Sequence, residues 1–140
     1  MPDNITAQQR RRCMSRNNGK KDTSIETTVR SALHKRGLRF RKHVKELPGK
    51  PDIVFTKAKI AVFIDGDFWH GYGFSKWRDR LSSDYWRVKI SKNRVRDVKN
   101  HLALRAAGWR VIRVWEHSIK KDFEGVVNRI VRSYHLRRQL

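Results

Sequence analysis

The segment KIAVFI, residues 59–64, constrains the fold of this chain more than any other. It is apolar on both faces of an extended chain, whereas a strand with one face in water alternates apolar and polar residues. Such a strand has to be covered on both sides, which is typical of the centre of a sheet between helices. The segment therefore predicts an α/β fold with a central mixed sheet flanked by helices.

The other elements follow from apolar periodicity and from capping residues. We predict further strands at 38–44, 52–55 and 109–115, a helix capped by Thr23 or Ser24 that stops at Gly37, a long helix capped by Ser82 or Ser83 that runs through Ala107, and a last helix over 123–134. Residues 65–77, which are rich in glycine and aromatic residues, are predicted to form a loop. Val95 and Val98 of the long helix are expected to be half-buried.

The charge of the chain points to its partner. Lys and Arg number 34 against 13 Asp and Glu, a formal net charge of +21, and a polyanion is the natural partner of such a surface. No apolar stretch approaches the length of a membrane-spanning helix and no leader opens the chain, so we expect no membrane partner and a cytoplasmic protein. Cys13 is the only cysteine, which excludes an internal disulfide and a multi-cysteine zinc site.

Two aspartates stand at the ends of predicted strands. Asp52 opens one strand and Asp65 closes the next, so a hairpin through TKAK would bring both to its open end. Carboxylate oxygens close to phosphate suit Mg²⁺, which keeps several waters and leaves room for substrate oxygens. An ordinary turn at the Pro51-Asp52 dipeptide is the alternative interpretation.

His70 is a candidate general base. Its imidazole titrates near neutrality and can take a proton from an attacking water. A base also needs an orienting partner, and Asp97 in the long helix is the best placed carboxylate. The alternatives are a His70 that only caps the aromatic loop and an Asp97 that pairs with Arg94 or Arg96.

Five blocks of the chain resemble, in order and spacing, the very short patch repair endonucleases, which nick DNA beside a thymine–guanine mismatch. The blocks are DTSIE (22–26), LPGKPDIVF (47–55), VFIDGDFWHG (62–71), KNRVRD (92–97) and GWRVIRVWE (108–116). The order of a helix with Glu26, the Pro51-Asp52 dipeptide and a buried strand is that of the restriction-endonuclease-like core, which we place over residues 22–140. Residues 1–21 are polar and basic without a sustained apolar period, so we expect an arm that becomes ordered on a partner.

The resemblance also implies a role for the acidic residues. Its functional residues here are the Mg²⁺ ligands Asp52 and Ile64 (through the main-chain carbonyl), the water-activating His70, its orienting partner Asp97, and Glu26, which supports the water or phosphate at the metal. Asp65 stands where some relatives have a second histidine, so whether it binds metal or only shapes the loop stays open.

Contacts with double-stranded DNA are implied in the same way. Phe68, Trp69 and Trp86 would form a wedge that enters the duplex beside the mismatch, because a mismatch lowers the cost of unstacking bases. Burial in the core is the alternative for such aromatics, although Trp69, next to a His, a Gly and two Asp, is expected to be hard to bury. The polar residues expected to contact DNA are Arg10, Arg11, Arg12, Arg16, Lys20 and Lys21 of the arm, and Lys92 and Asn93 of the long helix.

One departure from the family concerns zinc. The best-known members hold a structural zinc with three cysteines and a histidine, and the matching positions here are Asp67, Tyr72, Phe74 and His117. That set is a poor zinc site. We therefore predict no structural zinc, and instead a salt bridge between Asp67 and His117 with Tyr72 and Phe74 packed around it.

The sequence thus predicts an Mg²⁺-dependent DNA endonuclease that nicks one strand next to a T·G mismatch left by deamination of 5-methylcytosine. Because one active site cuts one strand, we expect a monomer, bacterial in type and associated with the nucleoid when bound, with DNA-repair proteins as further partners. Two alternatives stay open: a homing or restriction-type endonuclease that cuts an intact duplex, and a non-catalytic basic DNA-binding module.

Overall fold

Residues 24–80 and 84–139, which the computed structural model describes, fold into helices around a single sheet. The strands are β1 (Arg41–Lys42), β2 (Ile53–Phe55), β3 (Ile60–Asp65) and β4 (Arg110–Trp115), and the helices are α1 (Ser24–Lys35), α2 (Phe74–Trp77), α3 (Asp84–Ala106), α4 (Glu116–Lys121) and α5 (Phe123–Arg138). The predicted arm at 1–21 lies outside the described residues.

The sheet has the strand order β1-β2-β3-β4. β1, β2 and β3 are antiparallel neighbours, whereas β4 runs parallel to β3. This mixed sheet with helices on its faces confirms the predicted fold class.

β3 lies at the centre, as its apolar sequence predicts. Ile60 and Val62 pack into a core that includes residues of α1 and α5. Ala61 and Phe63 point the other way and pack with Leu104 of α3. Burying each larger side chain contributes roughly 1.5–3 kcal/mol, so β3 is held firmly on both faces and the carboxyl end of the strand is fixed.

The hairpin through TKAK forms as predicted. Ile53 pairs with Val62, and the backbone amide of Asp52 donates to the Val62 carbonyl over 3.0 Å. Asp52 and Asp65 consequently stand at the open end of one hairpin.

The long helix contradicts one prediction, because Val95 and Val98 do not face the core, although Trp86, Ile90 and Leu104 of the same helix do. Val95 is 70% exposed and Val98 is 57% exposed. The residues of α3 that are buried include Asn93, Asp97 and His101. The reason is that Trp86, Ile90 and Leu104 anchor a different face of the helix, and Asn93 and Asp97 on that face are satisfied by hydrogen bonds with the Trp69 carbonyl and Arg113.

Three boundaries also differ from the prediction. The segment 65–77 is not all loop, because its last four residues form α2. Helix α4 follows β4 directly and was not predicted. Of the predicted strand at 38–44 only Arg41 and Lys42 form regular ladder pairs; at His43 a positive φ of 50° interrupts the strand geometry, although the His43 and Val44 amides still bond to the Asp52 and Pro51 carbonyls. None of the helices described is long and apolar enough to cross a membrane.

Candidate active site

A cavity of about 560 Å³ opens where the β2–β3 hairpin ends and α3 crosses the sheet. Its lining is rich in titratable side chains, among them Glu26, His43, Asp52, Asp65, His70 and Asp97. These six residues form two groups of three, and within each group the possible ligand atoms lie within 4.8 Å of one another. We call Glu26, His43 and Asp52 the Asp52 cluster, and Asp65, His70 and Asp97 the His70 cluster.

The Asp52 cluster joins α1 to the hairpin. The Nε2 atom of His43 lies 3.5 Å from Oε2 of Glu26, and its Nδ1 lies 3.7 Å from Oδ1 of Asp52. The second carboxylate oxygen of Asp52 accepts a 2.6 Å hydrogen bond from the backbone amide of Ile64. Arg30, one turn along α1, lies 3.6 Å from Glu26. Two carboxylates thus converge on one imidazole.

Electrostatics in this cluster favour a cation. Burial raises the pKa of Asp52 well above its ordinary value, and the neighbouring Glu26 carboxylate raises it further, against the hydrogen bond from the Ile64 amide. A cation between the carboxylates would reverse both effects, because it stabilises their charged forms. The donor set of carboxylate oxygens and an imidazole therefore fits a divalent metal ion.

His43 was not identified from the sequence. Its backbone amide donates to the Asp52 carbonyl over 3.1 Å, so the pairing of β1 with β2 places the ring beside the Asp52 carboxylate. A β1–β2 register could have suggested this neighbour, but the RKHVKE segment carries no motif that singles out the histidine.

The His70 cluster is held by short hydrogen bonds. His70 Nδ1 lies 2.7 Å from Oδ2 of Asp97, as predicted, and His70 Nε2 lies 3.4 Å from Oδ1 of Asp65. Arg113 of β4 joins both carboxylates, with Nε donating to Asp65 over 2.7 Å and Nη2 donating to Asp97 over 2.8 Å. Asp97 thus pairs with Arg113 and not with Arg94 or Arg96.

The loop that carries His70 packs closely on α3. Gly71 has a positive φ of 71°, and a Cβ there would come within 2.7 Å of the Arg94 side chain and 2.9 Å of Ile90. Glycine therefore permits both the turn and the close approach. The contact brings His70 to the level of Asp97 on the helix.

The two aspartates of this cluster have opposite protonation preferences. Burial alone would raise the pKa of Asp97, but the hydrogen bond and charge of His70, together with Arg113, outweigh it and lower that pKa. Burial raises the pKa of Asp65 despite His70 and Arg113. An ionised Asp97 can only accept, so Nδ1 of His70 carries the hydrogen and Nε2 is the basic nitrogen. The arrangement suits a general base.

The two clusters are therefore chemically different. In the His70 cluster the carboxylates are already bonded to Arg113 and His70 at 2.7–2.8 Å. In the Asp52 cluster the imidazole stands 3.5 Å and 3.7 Å from the carboxylates, beyond ordinary hydrogen-bond length. The Asp52 cluster is the better place for a metal ion, and Asp65 lies with the base instead.

The predicted wedge residues form an aromatic cluster beside the cavity. Phe68 lies with its ring centroid 5.6 Å from that of Trp86, and Trp69 lies 5.5 Å from Trp86. Both tryptophans are 8% exposed, so the expectation that Trp69 is hard to bury is wrong. Asn93 is also buried and donates to the Trp69 carbonyl over 2.9 Å, while Lys92 is exposed. DNA contacts of these residues stay a prediction, and the arm cations lie outside the described residues.

Asp67 and His117 come together as predicted. Nδ1 of His117 lies 2.9 Å from Oδ1 of Asp67, and the Tyr72 ring packs 4.1 Å from the imidazole. Phe74 does not join them, because it packs into the aromatic cluster with Trp69 and Trp86. The pair links the loop after β3 to α4.

This pair predicts a modest stabilisation. Asp67→Ala should lower the free energy of unfolding by about 0.5–1 kcal/mol, since both side chains are about one-third exposed and water weakens such pairs. A double-mutant cycle with His117→Ala checks it by urea unfolding, and metal analysis of the same protein should find far less than one zinc per chain. Stoichiometric zinc, or strictly additive losses, would contradict this prediction.

Comparison with known proteins gives one consistent result. A family model described as DNA mismatch endonuclease Vsr matches residues 2–76. The type II nicking enzyme V.XorIIP of Xanthomonas oryzae is 44% identical over 117 residues, which cover 83% of this chain and 85% of that protein. The type II nicking enzyme V.HpaIIP of Haemophilus parainfluenzae is 37% identical over 87% of this chain and 88% of its own. The DNA mismatch endonuclease Vsr of Escherichia coli is 36% identical over 71% of this chain and 65% of its own.

Proposed function

Because the chain belongs to the family of the DNA mismatch endonuclease Vsr, and is thus a DNA endonuclease with a restriction-endonuclease-like fold, we propose that it uses Mg²⁺ to nick one strand of duplex DNA next to a T·G mismatch. The observation that carries the proposal is the meeting of the Asp52 cluster and the His70–Asp97 pair in one cavity. Family membership excludes the non-catalytic DNA-binding module.

DNA is the partner of this site. The net charge of +21 attracts a polyanion, yet carboxylates at the cavity would repel phosphate. A divalent cation between Glu26 and Asp52 removes that conflict, and so supports Mg²⁺ dependence. The carbonyl of Ile64 would be a further ligand, because the same peptide segment is fixed to Asp52 through the Ile64 amide.

Each residue then has a defined task. Mg²⁺ held by Asp52 and Glu26 would supply electrophilic stabilisation of the phosphate charge. His70 takes the proton of the attacking water at Nε2, and Asp97 stabilises the imidazolium that results. Arg113 keeps Asp97 ionised and oriented. Arg113 holds the Asp65 carboxylate, and Asp65 in turn lies 3.4 Å from Nε2 of His70, so the two residues orient that edge of the imidazole ring.

Mismatch recognition is supported by similarity to the DNA mismatch endonuclease Vsr of Escherichia coli and by the aromatic cluster beside the cavity. Phe68, Trp69 and Trp86 would leave their packed arrangement to enter the duplex, a step that costs least where base pairing is already weak. A second candidate, nicking of an intact duplex sequence, is favoured by relatives of higher identity that are named type II nicking enzymes.

A pair of duplex pools separates the two candidates. One pool carries a central T·G pair and the other a C·G pair, both with the same randomised flanks and each strand end-labelled in turn. We expect Mg²⁺-dependent nicking of one strand, faster on T·G by roughly 10²-fold, because a mismatch lowers the unstacking cost by a few kcal/mol.

Equal rates on the two pools would support nicking of an intact duplex. Cleavage that persists in chelator would contradict metal dependence. Absence of cleavage on both pools, with Mg²⁺ present and DNA bound, would overturn the proposed reaction.

A further inference from the structure

We propose that the imidazole of His43 is a ligand of the metal ion bound at the Asp52 cluster, and that it raises the affinity of this site for transition-metal ions relative to Mg²⁺. The inference rests on the proposed function, since it takes the metal to bind at Asp52. It adds a nitrogen ligand to a site otherwise built from oxygen atoms.

The geometry around His43 supports ligation. Ligand atoms of one octahedral ion, with bonds of about 2.1 Å, stand about 3.0 Å apart when adjacent and about 4.2 Å apart when opposite. His43 Nε2 lies 3.5 Å from Glu26, within that interval, and the other ring nitrogen, Nδ1, lies 3.7 Å from Asp52; an imidazole binds one ion through one nitrogen, so only one of these separations can join two ligand atoms of the same ion. The three side chains offer one ligand atom each within 4.8 Å of one another. They can therefore share one ion.

The backbone holds the His43 ring in place. Its amide donates to the Asp52 carbonyl over 3.1 Å, and the next amide, of Val44, donates to the Pro51 carbonyl over 3.2 Å. His43 also adopts a left-handed φ of 50°, which non-glycine residues adopt seldom and mostly where the surroundings impose it. Such outliers gather at functional sites, so the conformation supports a role for the ring.

His70, a second histidine of the cavity, is less suited to bind this ion. Its Nδ1 is bonded to Asp97 at 2.7 Å, and the carboxylates near it are bonded to Arg113, whose positive charge disfavours a cation. His43 faces two carboxylates. Arg30 contacts one of them, Glu26, from α1 at 3.6 Å.

The chemical consequence is metal selectivity. Mg²⁺ prefers oxygen ligands, whereas imidazole suits later first-row ions, whose affinity rises from Mn²⁺ towards Cu²⁺. Loss of the imidazole should therefore weaken binding of Co²⁺ much more than binding of Mg²⁺. The ratio of the two affinities is the quantity to measure.

The test uses the full chain and His43→Asn. Asparagine tolerates the left-handed conformation better than other replacements, so the fold should be retained. Calorimetric titration with Co²⁺ and with Mg²⁺, each alone, gives both dissociation constants. We expect His43→Asn to weaken Co²⁺ binding by about 10–100-fold, the range typical of losses at metal sites, and to leave Mg²⁺ binding nearly unchanged. The visible absorption of bound Co²⁺ should change as well.

Two further variants complete the design. His135→Asn, which removes an exposed histidine of α5, should leave both affinities unchanged. Asp52→Asn should weaken the binding of both Co²⁺ and Mg²⁺. If Asp52→Asn weakens the binding of both ions but His43→Asn leaves the ratio of Co²⁺ affinity to Mg²⁺ affinity unchanged, the inference on His43 fails and the metal site is retained. If Asp52→Asn changes neither ion, the metal site of the proposed function fails.

A measurement on the wild-type protein, in which His43 is intact, keeps the test valid even if a variant fails to fold. In Mn²⁺-loaded protein, pulsed electron paramagnetic resonance detects a nitrogen bound to the metal. We expect that nitrogen signal in the wild-type protein and in His70→Gln. A spectrum without coupled nitrogen would overturn the inference.

Discussion

Asp52→Asn is expected to abolish nicking while DNA binding persists. The substitution removes a negative charge that holds the metal ion, and stabilisation of phosphate charge by such an ion contributes several kcal/mol, which corresponds to roughly a 10³-fold or larger loss of rate. DNA should bind as well as before or better, since one carboxylate fewer repels phosphate. Single-turnover cleavage and a binding titration of the same duplex measure the two effects.

The same variant should be more stable than the wild-type protein when no metal is present. Because burial and Glu26 raise the pKa of Asp52 above its unfolded value, the folded chain binds that proton more tightly. Its ionised form therefore costs stability at neutral pH, and the cost disappears as the pH falls through the folded pKa. We expect Asp52→Asn to add about 0.5–2 kcal/mol to the free energy of unfolding at neutral pH.

Glu46→Gln is the matched control, because Glu46 is an exposed carboxylate whose recorded ion pair with Arg41 is 3.9 Å long. It should change neither the rate nor the melting temperature. Normal nicking by Asp52→Asn would remove Asp52 from the metal site. A loss of DNA binding equal to the loss of rate would show a damaged fold and not a missing ligand.

His70→Ala is expected to lower the nicking rate by about 10²–10⁴-fold, the usual contribution of a general base. The loss should shrink as the pH rises, because hydroxide replaces water as the nucleophile and needs no base. The fold should tolerate the change, since Arg113 still bonds both Asp65 and Asp97. Rate–pH profiles of the two proteins, with His135→Ala as a control, check this prediction.

A normal nicking rate in His70→Ala would show that His70 is not the general base and has only a structural role. An equal loss at every pH would mean that the imidazole does something other than accept a proton. Added imidazole should restore part of the rate, as expected for a missing base that leaves an open space.

Much of the site could be predicted because its residues stand in local motifs. Asp52 and Asp65 stand at the same end of the hairpin because a four-residue turn joins their strands, and the loop after β3 packs on α3, which brings His70 to Asp97. Arg113 and His43 were missed for a different reason. Arg113 reaches the site through the parallel pairing of β4 with β3, and His43 through a left-handed turn. Neither contact is encoded in a local pattern.

The orientation of α3 shows the limit of periodicity. Val95 and Val98 keep helical spacing, yet they lie in solvent while Asn93, Asp97 and His101 face the sheet. Trp86, Ile90 and Leu104 bury that same face, and the loop carbonyl of Trp69 and the β4 side chain of Arg113 satisfy its polar residues. Periodicity identified one apolar stripe of the helix, but the face with the larger residues Trp86 and Ile90 is the one that is buried.

We propose that one cavity holds two sites with different roles: the Asp52 cluster binds the metal ion and the His70 cluster supplies the general base. The Mg²⁺ dependence of the single-turnover nicking rate tests it most directly, measured for the wild-type protein, Glu26→Gln and His70→Ala. We predict that Glu26→Gln raises the half-saturating Mg²⁺ concentration by about 10-fold or more and that His70→Ala lowers the maximal rate at an unchanged half-saturating concentration. A shift in half-saturation caused by His70→Ala, or none caused by Glu26→Gln, would contradict the division.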